Sequence, residues 1–285
     1  MADSIKNRYD FVLLFDVKDG NPNGDPDQDN LPRVDAENQE GLITDVCIKR
    51  KVRNYVELKF EKATEAEKKT HAIFIRQGNV LNPIIEKAKG SAPKEKQENL
   101  CKQYWDIRTF GAVLSTGDAG AGTVRGPVQF TFSRSEDRIF QAEHTITRCA
   151  VTTEKEKESQ KDREFASTMG RKSTVPYALY RMHGFVSGVD AVKSGFSEDD
   201  LQLLWEALLN AFEHDRSAAR GEMNPRKLIV FKHEDHLGRA RSGELFERVT
   251  VEKKEGVVVP RSWSDYDVTI QQDKLPKGVS LEEKL

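Results

Sequence analysis

The chain has 285 residues, of which 37% are hydrophobic and 32% charged, enough for one large domain or two small ones. Its 45 basic and 47 acidic residues leave a net charge of -2, which excludes a protein that coats nucleic acid through bulk charge, although local fields still decide contacts within a Debye length of about 10 Å. A mean hydropathy of -0.66 together with recurring patterned apolar segments predicts a modest core carrying long polar excursions, not a disordered chain.

Residues 9–17 read as a strand buried on both faces: Phe11, Leu13, Phe15 and Val17 alternate with Val12 and Leu14 among them. A loop of about 26 residues follows, rich in Asn, Asp, Pro and Gly, and loops that long inside a domain are uncommon and often functional. A helix is predicted over residues 44–61, with Thr44 as N-cap and Asp45 at the positive end of its dipole. At about 100° per residue, Lys49, Arg50 and Arg53 share one face, and Ile48, Val52 and Tyr55 lie roughly opposite. The helix is expected to dock by one stripe and present three cations, which suits a polyanion; an ordinary solvated face is the equal alternative.

Residues 62–123 read as an insertion. Charged helices are predicted at 61–69 and 87–102, separated by Gly78 and Asn82-Pro83, and Gly111, Gly117, Gly120 and Gly122 mark a loop. A strand at 124–133, a turn at 135–138 and a strand at 139–148 follow. Residues 152–164 are too polar for a core and read as a projecting arm that continues to residue 175, before a strand at 177–187. The helix at 197–212 has the strongest signal: Ser197 and Asp200 form a capping box, and Leu201, Leu204, Trp205, Leu208 and Phe212 make a core stripe. A strand at 227–233 and weaker ones at 245–251, 256–259 and 267–270 complete the chain. Without the insertions the order is strand, helix, strand, strand, helix, strand. That is the split βαβ, ferredoxin-like order shared with the RRM, which hosts many functions.

Cys47, Cys101 and Cys149 are far apart and form no CxxC, so a reducing cytoplasm is expected. No apolar signal core is visible in the first residues and no apolar run approaches the roughly 18 residues of a membrane span, so neither secretion nor a membrane is expected.

Several motifs suggest chemistry that their details oppose. Asp19, Asn21, Asn23 and Gly24 match the first half of an EF-hand loop, but position twelve is Asn30 and a strand precedes the loop. A looser divalent-metal site on Asp25, Asp27 and Asp29 is a weaker reading than a turn network built on Asx-turns. The glycines of 117–122 lack the lysine of a P-loop. His233-Glu234-Asp235-His236 is one residue short of HExxH, and on a strand end the two imidazoles would point apart. His71, His144, His183 and His214 have no obvious partners, and neither a GxSxG nor a recognisable nucleophilic Cys occurs. No catalytic residue, metal or cofactor is therefore expected. Residues 125–132 overlap the RNP1 pattern at Arg125, Gly126 and Phe132. Pro127 and Gln129 occupy its stacking positions, so no base-stacking platform is expected and Phe130 and Phe132 are assigned to the core. The arm ends in Phe165, Met169, Arg171 and Lys172. Apolar residues flanked by cations suit either wedges between bases with phosphates held alongside, or packing against a protein neighbour.

Taken in order, Asn21-Pro22-Asn23-Gly24-Asp25-Pro26, Thr44-Asp45-Val46 with Lys49, Arg50 and Arg53, Phe110-Gly111, Gly126-Pro127-Val128-Gln129-Phe130, and Met169-Gly170-Arg171-Lys172 before Val175-Pro176-Tyr177 resemble the CRISPR-associated backbone subunit of type I Cascade complexes. That subunit belongs to the RAMP superfamily, and the type I-C branch is the nearest match. The resemblance implies an α+β fold: an RRM-like palm over 1–285 with a helical finger insertion at 62–123 and a β-hairpin thumb at 149–176. It implies identical subunits in a helical filament along one CRISPR RNA, beside other Cascade subunits, in antiviral defence. Protein would grip the guide backbone while base pairing reads target DNA in an R-loop, and the subunit would not be a nuclease. By the same resemblance, Lys49, Arg50 and Arg53 hold guide phosphates and Phe165, Met169, Arg171 and Lys172 form the thumb tip. Arg125 lines the same groove, and Asn21 and Asn23 shape a turn beside it. Two alternatives stand: a metal-dependent RNA-cleaving subunit of the same superfamily, using an aspartate among Asp25, Asp27, Asp29 and Asp35, or a protein-only assembly scaffold.

Overall fold

The computed structural model describes residues 3–115, 120–148, 150–158 and 168–285. β1 (Tyr9–Gly20) leads through a ribbon of β2 (Gly24–Asp25) and β3 (Leu31–Pro32) to β4 (Glu40–Ile43) and α1 (Asp45–Phe60). The next segment holds α2 (Glu65–Thr70), α3 (Leu81–Glu86), α4 (Pro93–Gln103), α5 (Trp105–Phe110) and a ribbon of β5 (Gly111–Val113) with β6 (Thr123–Arg125). Then come β7 (Val128–Phe130), β8 (Ser133–Arg138), β9 (Ala142–Arg148), the short α6 (Glu154–Glu158) and the long β10 (Thr168–Val186). α7 (Gly188–Ser194), α8 (Glu198–His214), β11 (Glu222–His233), α9 (Ser242–Phe246), β12 (Val249–Lys253), β13 (Tyr266–Ile270) and β14 (Val279–Glu283) follow.

The main sheet runs β14-β11-β1-β10-β8-β4, with β7 and β9 also pairing β10. β1 is antiparallel to both neighbours; Phe11 stands opposite Gly184 on one side and Val230 on the other. Its two faces carry two cores, which is why its sequence is apolar almost without a break. Phe11, Leu13, Phe15 and Val17 face α1 and α8, with Phe11 5.1 Å from Trp205 and Phe15 5.1 Å from Phe212 between ring centres. The α8 stripe of Leu201, Leu204, Trp205, Leu208 and Phe212 is buried as expected, and the Ser197–Asp200 capping box is formed. On the other face, Val12, Leu14, Leu179, Ile229 and Phe231 are covered by Leu245, Phe246, Val249 and Tyr266. A third core, of Phe74, Ile85, Leu100, Tyr104, Ile107 and Leu114, lies within the segment after α1. Arg108 fastens that segment to α8, its Nε and Nη2 donating to the Asp200 carboxylate at 3.0 and 2.7 Å.

Several local expectations fail. Residues 135–138 are strand, not turn: β8 pairs with β4 and β10, and it turns the small hydroxyls of Ser133 and Ser135 inward instead of apolar side chains. The helix expected at 87–102 starts only at Pro93, in α4, because Gly90 at φ +128° breaks the path before it; Asn82-Pro83, expected as a separator, instead sits in the first turn of α3, where proline's missing N–H is harmless. Leu245 is in α9, and residues 256–259 form no strand. Phe132 is 51% exposed while Phe130 is buried, because the ladder to β10 breaks between β7 and β8 and the alternation is lost there.

β9 and the first half of β10 form an antiparallel pair from Ala142 opposite Thr174 to Arg148 opposite Thr168. Cys47 and Cys101 are free thiols. Phe165, Cys149 and Gly117 lie outside the described residues. Among the described residues no helix is long and apolar enough to cross a membrane.

Candidate nucleic-acid interface

α1 is seated by Ile48, Val52 and Val56 in the main core. Lys51 is buried on the same side, paired with Asp215 and 5.9 Å from the Phe212 ring centre. Burial pulls the Lys51 pKa down, opposed by the Asp215 charge.

Thr44 occupies the N-cap position, but its side chain does not cap the helix. Its N–H and its hydroxyl both donate to Asn23 Oδ1, at 3.0 and 2.9 Å. Asn21 is buried and donates from Nδ2 to the Asn30 carbonyl at 2.6 Å, while Arg220 Nη1 donates to the carbonyls of Asn21 and Pro22, each at 3.0 Å. A Cβ on Gly24 would fall 1.9 Å from Asn30 Oδ1. The Asn21–Gly24 motif is thus a clamp on the N-terminus of α1. Of the aspartates beyond it, Asp25 and Asp35 are occupied locally while Asp27 and Asp29 are exposed: Asp25 Oδ1 accepts from Asp27 N–H at 3.2 Å, as an Asx-turn requires, and lies 3.3 Å from Arg33 Nη1. Asp35 pairs with Arg134 at 2.9 Å, and the hydrogen bond from that guanidinium holds its pKa below the usual range. Among the described residues no three His, Cys, Asp or Glu side chains converge as metal ligands.

The expectation of three solvated cations on α1 needs correction. Lys49 Nζ donates to Asp45 Oδ2 at 2.9 Å and sits 5.7 and 5.9 Å from the ring centres of Phe110 and Phe130. Arg53 Nε donates to Asp106 Oδ2 at 2.9 Å, with its guanidinium 5.1 Å from the Phe110 centre. Both side chains are only 12% exposed. The cause is the aromatic pair beneath them, Phe110 and Phe130, edge-to-face at 5.6 Å, whose rings attract cations. Arg50 alone of the three is exposed, and it has no ion-pair partner among the described residues.

The glycines of the flanking motifs make this seat possible. Gly111 has φ +80°, and a Cβ on Gly126 would lie 2.2 Å from Gly111 N and 2.3 Å from Phe110 C. Only glycine lets β6 pass that close, pairing Arg125 with Gly111. Arg125 itself is 81% exposed, its Nε 3.4 Å from Asp190. Arg171 and Lys172 stand on the separate β9–β10 pair, opposite Thr145 and His144; Arg171 is exposed and Lys172 half-buried. Met169 belongs to the same strand.

His233 is buried, with Nε2 3.0 Å from Asp10 Oδ2 and Nδ1 accepting from Arg239 N–H at 2.8 Å. Both ring nitrogens are used, and His236 is exposed on the following turn. The structure therefore unites Asn21, Asn23, Lys49 and Arg53 with the Gly111–Arg125 ribbon around one helix. It adds Asp106, Phe110 and Phe130, which carried no local signal of this role.

These features define a mixed α/β subunit whose central antiparallel sheet supports a clamped helix with cations seated on aromatic rings. Residues 7–271 match the family model of the CRISPR-associated protein Cas7, and the chain belongs to that family. It is similar to the CRISPR-associated protein Cas7 of Haloferax volcanii, 25% identical over 260 residues covering 81% of this chain and 73% of that protein. Among solved structures it is similar in fold to a chain of a CRISPR RNA-guided surveillance complex, with a TM-score of 0.52 at 13% identity over 88% of this chain and 78% of that one. A chain from a pre-nicking surveillance complex gives a TM-score of 0.48 at 13% identity over 79% and 78%.

Proposed function

We propose that this Cas7-family chain is a non-catalytic, repeated backbone subunit of a type I-C Cascade complex in the prokaryotic cytoplasm. It binds CRISPR RNA by its phosphates and supports pairing of that guide with target DNA. The observation that carries the reading is the geometry of α1: clamped by Asn23, anchored by Lys51 and bearing cations already ordered over Phe110 and Phe130. Side chains ordered in advance lose little freedom on binding, so more of the contact energy appears as affinity. The exposed Arg50, Arg125 and Arg171 supply further phosphate contacts. The order β11-β1-β10-β7 is that of a split βαβ sheet; we read it, with α1 and α8, as an RRM-like palm, 62–123 as the finger and 149–176, extended by β9, as the thumb. A net charge of -2 lets copies assemble side by side without strong repulsion. The engagement of Asp25 and Asp35 in a turn and ion pairs supports a scaffold over an RNA-cleaving subunit.

Titrating guide-RNA affinity against salt tests this. Replacing Arg50, Arg125 and Arg171 together by Ala removes exposed side chains, and the log–log slope is expected to flatten by roughly two units, at about 0.7 per phosphate contact on a single strand. A slope equal to that of the unaltered chain would overturn the reading.

A further inference from the structure

Asp106 lies where α1 meets the insertion, 1% exposed. Its carboxylate accepts three hydrogen bonds: from Phe74 N–H at 2.8 Å on Oδ1, and from Ile75 N–H at 3.0 Å and Arg53 Nε at 2.9 Å on Oδ2. A buried carboxylate is tolerated only when a cation and further donors satisfy it. Arg53 therefore cannot abandon Asp106 for a phosphate without leaving a buried anion on two amides. It has no need to, because a guanidinium carries five N–H donors in a fixed plane. Nε is committed to Asp106 and one face rests on Phe110, while neither Nη has a hydrogen-bond partner among the described residues.

One turn further along α1 the attachment repeats: Glu57 Oε1 holds Arg76 Nε at 2.6 Å. Segment 74–79 is closed by Asn79, whose Nδ2 donates to the Phe74 carbonyl at 3.1 Å. The segment thus runs beside the Arg53–Glu57 stripe, fixed to it at both points.

We propose that Asp106 is a positioning residue: it holds Arg53 with both Nη groups free as a preformed fork for one guide phosphate, and it links occupancy of that site to the order of segment 74–79. The inference rests on the guide-binding reading above. It predicts a bridge, carboxylate to guanidinium to phosphate, that a lysine cannot make, since one ammonium has no rigid second edge.

The test uses the full-length chain and a single-stranded guide RNA. Arg53→Lys keeps a cation for Asp106, so folding is expected to survive while affinity falls about tenfold or more, the size of one lost charge-assisted hydrogen bond. Asp106→Asn is expected to lower the affinity of the folded protein as much as Arg53→Ala does, with no further loss in the double variant. In the unaltered chain, hydrogen exchange at the Phe74 and Ile75 amides is expected to slow when RNA binds. Native-like affinity of Arg53→Lys, or exchange at those amides indifferent to RNA, would overturn the proposal, and these two readouts stand even where Asp106→Asn does not fold. The Arg50, Arg125 and Arg171 triple variant separates the failures. If it too binds like the unaltered chain, guide binding itself is wrong; if it alone weakens binding, only the role of Asp106 is.

Discussion

Asn23→Ala probes the clamp at the head of α1. The substitution removes the acceptor of two hydrogen bonds, from Thr44 N–H and Thr44 Oγ1, each with a net value of about 1 kcal/mol. The freed Thr44 hydroxyl can turn back and cap its own helix, recovering about 1 kcal/mol. The expected loss is therefore about 1–2 kcal/mol. At about 2–4 °C per kcal/mol for a large domain, the Tm drops by roughly 2–8 °C. Asn23→Asp is the discriminating partner. It retains the acceptor oxygen, and its charge at a helix N-terminus contributes about 0.3–1 kcal/mol of stability, so its Tm is expected to hold or rise. That same charge beside the proposed guide path is expected to weaken RNA binding. Differential scanning calorimetry and an RNA titration on both variants read the two effects separately. An Asn23→Ala chain melting with the unaltered one, or an Asn23→Asp chain losing as much as the alanine variant, would refute the clamp.

Further outcomes follow from the same contacts. Arg108→Leu leaves the buried Asp200 carboxylate with only its Ser197 partners; breaking such a pair costs about 3–5 kcal/mol, and limited proteolysis is expected to begin within 62–123, whereas a loss under about 1 kcal/mol in urea unfolding would contradict the assigned anchor. Burial, then the adjacent Arg181 charge, pushes the His183 pKa from 6.5 down to about 4, so the unfolded chain binds the proton first. That contribution is complete above pH 6.5 and lost as pH falls toward 4; His183→Gln should flatten the urea midpoint across that window, and an unchanged pH slope would show that His183 is not its source.

What the sequence revealed follows the range of the forces involved. The α8 stripe and its capping box were legible because both lie within one helix. The motif glycines marked a tight passage whose partner, Phe110 against Gly126, only the fold supplies. β8 was misread as a turn because its inward residues are serines, which carry no apolar signal. The charges on α1 were legible but not their state: Arg53 finds Asp106 fifty-three residues away and Lys51 finds Asp215 far beyond that. Helical periodicity alone places such cations in water. The cover over the second sheet face was hidden for the same reason, since Leu245, Phe246 and Tyr266 are scattered among weak local signals.

The central claim is that α1 holds a guide strand by its phosphates. A structure of the assembled complex with its RNA tests it most directly. In each copy a phosphate oxygen is expected about 2.7–2.9 Å from an Arg53 Nη atom, with Lys49 and Arg50 beside the same stretch of backbone. A guide that runs elsewhere, leaving those three side chains to solvent or to protein in every copy, would contradict it.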